Sequence, residues 1–111
     1  MIVTAWNNGR HDRGGAGYGL KIKAEDRNIY FDAKWKSVVL ELEGCNQDVE
    51  VNIDKLTFWN ECCRELISKD IGVLLRQCRL IPWTKGKPPN FEMVPISGNR
   101  FFVRATNVRT D

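Results

Sequence analysis

The chain has 111 residues, too few for more than one ordinary domain but enough to bury a hydrophobic core. With 42% hydrophobic and 28% charged residues it has a globular composition, which excludes wholesale disorder, and no apolar run approaches the length of a membrane-spanning helix. The net charge of +3 is small but uneven: residues 1–24 hold four Lys/Arg against one acid, residues 25–70 six against eleven, and residues 71–111 seven against two.

The elements follow in chain order. Ile2–Trp6 is β-branched and aromatic and reads as a strand, stopped by Asn7, Asn8 and Gly9, which favour turns. A glycine-rich loop runs to Gly17. Tyr18–Lys23 then alternates, with Tyr18, Leu20 and Ile22 on one face, as a half-buried strand does. Ala24–Phe31 reads as a short helix. Lys36–Leu42 and Val49–Ile53 alternate on either side of the turn GCNQD, which predicts a hairpin. From Leu56 the period changes: Leu56, Trp59, Cys63, Leu66 and Ile67 step by three and four, and Ile71, Leu74, Leu75 and Cys78 do the same. This spacing predicts a helical pair over about 57–79, started by an Asp54 or Thr57 cap and restarted by a Ser68 cap. Arg76 and Arg79 suit the negative C-terminal end of that segment. Pro82 stops the helix, PWTKGKPPN is an irregular loop, and Phe91–Val94 and Arg100–Arg104 form a closing hairpin turned at Gly98-Asn99.

Strands, then helices, then a hairpin predict a single α+β domain over 1–111: a mainly antiparallel sheet of about six strands, able to curl toward a partial barrel, with the helical pair packed on it. The four cysteines (Cys45, Cys62, Cys63, Cys78) lack the C-x₂-C spacing of zinc sites, and neighbours such as Cys62 and Cys63 are ill placed for a disulfide. Cys63 falls on the apolar stripe and reads as a small buried hydrophobe. Free thiols, and an N-terminus too short in apolar residues for a secretory signal, point to the cytoplasm.

Two loops are candidates for chemistry. In WNNGRHDRGGAGYGLKI the spacing Gly14 to Gly19 matches a Walker loop, but Leu20 stands where its lysine belongs, and the dinucleotide pattern G-x-G-x-x-G also fails. What remains is a flexible loop whose amides, with Arg10, His11 and Arg13, could approach an anion; the alternative is a plain hairpin connection. His11-Asp12 resembles one piece of a metal phosphohydrolase site, but the chain has one histidine and such sites need several. In PWTKGKPPNF, Trp83, Lys85 and Lys87 suit base stacking and phosphate pairing, or equally a plug in which Trp83 covers the core and the lysines stay wet. Asp26, Asp32 and Lys34 resemble the acid-x-lysine element of Mg²⁺-dependent nucleases, on a tripeptide that is common by chance.

The segments AWNNG, GAGYGLKI, FWNECCRELIS and PWTKGKPPNF together resemble a group of small uncharacterised bacterial proteins, over most of the chain. That resemblance implies a cytoplasmic protein of bacterial type and carries over no activity, cofactor or catalytic residue.

The leading expectation is a non-enzymatic domain that recognises nucleic acid or another polyanion through its basic ends, with Arg10, His11, Arg13, Lys85 and Lys87 at phosphates and Trp83 stacking. No cofactor and no metal are expected. The runner-up is a protein-interaction module or homodimer using exposed aromatics such as Trp83 and Phe101, and the third reading is a small metal-dependent nuclease.

Overall fold

The computed structural model describes residues 1–10, 13–60, 64–77, 83–84 and 86–106. In chain order these form β1 (Ile2–Asn7), β2 (Tyr18–Lys21), α1 (Ala24–Tyr30), β3 (Ser37–Leu42), β4 (Asp48–Asn52), α2 (Leu56–Trp59), β5 (Glu65–Ile67), α3 (Lys69–Gln77), β6 (Asn90–Ser97) and β7 (Arg100–Ala105). The seven described strands make one sheet in the order β4-β3-β7-β6-β1-β2-β5. Its two outer strands, β4 and β5, come into contact, so the sheet curls into a nearly closed barrel. Neighbours are antiparallel except β3 and β7, which run parallel with Leu40 opposite Phe101. The sheet is therefore mixed and has one strand more than the sequence pattern suggested.

Alternation drives the curl. Val38 and Leu40 on β3, Val49 and Val51 on β4, Phe101 and Val103 on β7, Phe91 and Met93 on β6, and Tyr18 and Leu20 on β2 all point inward and are buried. Pro95 is tolerated in β6 because the pairing on the β1 side ends where Met1 meets Met93, short of Pro95, and a register shift follows between Pro95 and Ser97.

The predicted helical pair over 57–79 is not what forms. Helix α2 is one turn, begins after Lys55 without a side-chain cap from Asp54 or Thr57, and leaves Leu56 in solvent. Residues 65–67 are a strand, with Leu66 inward and Ile67 outward. The reason is the open edge of β2: Leu20 pairs with Leu66, and the ladder is extended by Ile22 N–H to Arg64 O at 2.8 Å. Leu66 is buried under either period, so spacing could not separate the two. Only the second helix stands, α3, where Ser68 Oγ accepts from the Asp70 N–H at 3.1 Å as a cap should.

The two ends of the barrel close differently. At one end Phe31 stacks on Phe101 at 5.0 Å between ring centres and leans on Phe58 at 5.6 Å, with Trp35 edge-on to Phe101 at 6.3 Å. Phe101 is wholly buried in this floor, so it is not the exposed interface aromatic the sequence suggested. Arg27, buried on α1, donates to the carbonyls of Phe58 at 2.9 Å and Asn60 at 2.7 Å and lies over the Trp59 ring. It thereby satisfies the orphan C-terminal carbonyls of α2.

The other end is closed by α3, and the glycine-rich loop makes this possible. A Cβ placed on Gly72 of α3 would lie 2.0 Å from the Gly15 carbonyl oxygen, and one on Gly15 would lie 2.8 Å from the Val73 nitrogen. Gly15 also has φ +92, a conformation L side chains rarely adopt. The loop thus lies backbone against backbone on the helix. Gly72→Ala is expected to cost about 3 kcal/mol, the upper part of the usual overpacking range; urea unfolding followed by tryptophan fluorescence measures it.

Candidate functional site

Both candidate loops emerge at the α3 end. The loop after β1 starts from Asn7, whose Oδ1 accepts the Gly9 N–H at 2.7 Å, while Asn8 Oδ1 accepts the Arg10 N–H at 3.0 Å. Asn8 N–H donates to Gly17 O at 3.0 Å and closes the base of the loop. The Pro-rich segment arrives alongside: Pro89 O accepts from the Ala5 N–H at 2.9 Å, so it lines the same end of β1.

Arg10 and Arg13 are exposed on the first loop. The Arg76 guanidinium at the end of α3 donates to the Arg13 carbonyl, which brings a third cation to this loop. Sequence reasoning assigned Arg76 only to the helix end; nothing in its spacing announced a partner 63 residues away. Lys87 is exposed, its N–H bound to Thr84 O at 2.9 Å in a turn. His11 and Lys85 lie outside the described residues, as do Cys62, Cys63, Cys78 and Arg79.

Trp83 is half-buried against the core, edge-on to the wholly buried Tyr18 with ring centres 5.7 Å apart. Tyr18 opens β2 and pairs with Asn7, so Trp83 stands at the root of the glycine-rich loop. This is the plug geometry, with a partly open ring.

Three further arginines are engaged in the fold, whereas Lys21, Lys23, Lys34, Lys36 and Lys69 are exposed and, among the described residues, form no ion pair. Arg100 bridges Glu41 at 3.1 Å and also Asp48, and these two carboxylates, Asp48 foremost through its hydrogen bond, raise the Arg100 pKa above its usual value. Arg104 pairs with Glu92 at 2.7 Å. Arg64 donates to Ile22 O at 3.0 Å. Two of the arginines in the basic C-terminal block are therefore neutralised on the barrel wall. Among the described residues, Arg10, Arg13 and Lys87 form no ion pair.

Asp32 accepts the Lys34 N–H at 2.8 Å in a local turn, and the described residues hold no group of three or more His, Cys, Asp and Glu arranged for a metal ion. Cys45 is a free, half-buried thiol after β3. It borders two adjoining hollows beside α3, an apolar one of 220 Å³ and a more polar one of 410 Å³ beneath the β3–β4 turn. Neither hollow is legible in the residue pattern, because an inward leucine reads the same whether or not it is closely packed.

No helix among the described residues is long and apolar enough to cross a membrane. Compared with known proteins, the chain matches no family model, no curated protein and no solved structure.

Since Trp83 packs on Tyr18, Trp83→Ala is expected to lower stability by about 2 kcal/mol, combining lost apolar burial with the ring contact. Thermal unfolding followed by circular dichroism checks this.

Proposed function

We propose that this chain is a non-enzymatic binding domain for nucleic acid or a comparable polyanion, engaged at the α3 end of the barrel. Arg10, Arg13 and Lys87 contact phosphates together with their sequence neighbours His11 and Lys85, and the open part of the Trp83 ring offers a stacking surface. The carrying observation is that both loops leave the barrel at one end with exposed cations, while Arg100 and Arg104 are held by carboxylates on the wall. Arg76, tied to the Arg13 carbonyl, adds charge to the same loop. Exposed cations on both loops concentrate an anionic strand by their field before any close contact forms. Stiff proline neighbours and a loop seated on α3 reduce the ordering cost on binding. The free Cys45 thiol supports a cytoplasmic setting.

A protein-interaction module is the second reading, and the residues that favour it are Ile29, 70% exposed, and Leu56, 82% exposed, rather than Phe101.

The test is fluorescence anisotropy of a labelled single-stranded oligonucleotide across a salt series. Log affinity should fall linearly with log salt, by about 0.7 for each phosphate contact, so replacing Arg10, Arg13 and Lys87 together by alanine should flatten the slope by about 2. The reading fails if the native protein binds no oligonucleotide at low salt, or if the triple variant keeps both the affinity and the slope.

A further inference from the structure

The apolar hollow under α3 is a place where the fold leaves itself incompletely filled. Its walls are Leu20, Phe91 and Val103 from the sheet and Ile71, Leu74 and Leu75 from the helix, and its volume is 220 Å³. A dry cavity of about 150 Å³ with this kind of lining takes up benzene, so this one has roughly half as much room again, enough for a second fused ring. Glu43, Cys45 and Arg104 border it, and Glu43 and Arg104 are exposed, which puts the charged groups at its opening.

Those charged groups are not equivalent. Arg104 is already paired with Glu92 at 2.7 Å, whereas Glu43 forms no ion pair among the described residues. The Arg104–Glu92 pair is net neutral, so the opening carries the net negative charge of Glu43, and a molecule whose ring sits in the hollow meets a carboxylate acceptor there. That favours a ligand with an N–H or O–H donor and disfavours one with an acid head group, since two carboxylates brought together repel.

We propose that this hollow is a binding site for a small, neutral, fused-ring aromatic carrying one hydrogen-bond donor, the ring among Leu20, Ile71, Leu74, Leu75, Phe91 and Val103 and the donor toward Glu43. The site is separate from the cationic loops and does not depend on polyanion binding.

The probe is indole, with octanoate as the acid-headed comparison, followed by methyl and amide NMR on the intact chain. Indole should give saturable shifts concentrated at Leu20, Ile71, Leu75 and Val103, and octanoate should bind at least tenfold more weakly. Leu74→Trp fills the hollow from a half-buried position and should weaken indole at least tenfold; Leu42→Phe fills it from the sheet side if the first variant does not fold. Glu43→Gln should narrow the difference between the two probes. The proposal is overturned if indole gives no saturable shifts, if its shifts centre on Tyr18 and Trp83, if a folded filled variant binds it unchanged, or if octanoate binds as tightly.

Discussion

The close approach of Gly15 to Gly72 is the constraint on which the upper half of this structure depends. A curled sheet of seven described strands has two open ends, and each must be covered or its apolar interior meets water. At one end α3 does this through its buried Ile71 and Leu75, and a backbone contact on its outer side gives it further support. The glycine-rich loop is that support, and it fits because neither partner carries a Cβ at the contact. The same contact fixes where the loop's cations stand. Arg13 lies two residues before Gly15, and its carbonyl receives Arg76 from four residues after Gly72. Packing and charge placement are thus consequences of a single backbone geometry.

The two closures differ in kind. The far end is filled by large flat side chains, Phe31, Trp35, Phe58 and Phe101, which meet at angles that leave little space, and its helix ends are tied by the buried Arg27. The α3 end is roofed by a single amphipathic helix presenting Ile71, Leu74 and Leu75. Aliphatic side chains on one cylinder cannot follow the curvature of a barrel mouth everywhere. The residual space lies on the side of α3 away from Gly15, toward β3 and β7.

Much of this was legible in the chain. The β3–β4 hairpin and the closing β6–β7 hairpin follow from strict alternation beside turn residues, because strands buried on one face have no other way to place Val38, Leu40, Val49 and Val51. The strand at 65–67 was not legible, since three residues cannot establish a period and their pairing is decided by the open edge of β2, more than forty residues earlier. The charge blocks were legible as totals but not as surfaces. Arg27, Arg64, Arg100 and Arg104 look like the other cations in sequence, yet each is assigned by a carbonyl or carboxylate supplied from elsewhere in the chain. The glycine-rich loop invited a phosphate motif because glycine permits close approach, and the approach it permits here is to a helix of the same chain.

Packing against α3 narrows what the loop can do. A phosphate cradle needs amides turned toward a common point, whereas here the loop amides of Gly9 and Arg10 are turned onto Asn7 and Asn8, and Asn8 N–H is turned onto Gly17. Outward, the described part of the loop offers the side chains of Arg10 and Arg13. Guanidinium groups on exposed, separately anchored positions suit a long anion touched at several points better than a single compact phosphate held by converging N–H groups, because each contact then needs only a local charge and no shared centre. On the proposed reading the ligand is therefore an extended strand rather than a nucleotide, independently of whether the hollow on the other side of α3 is filled.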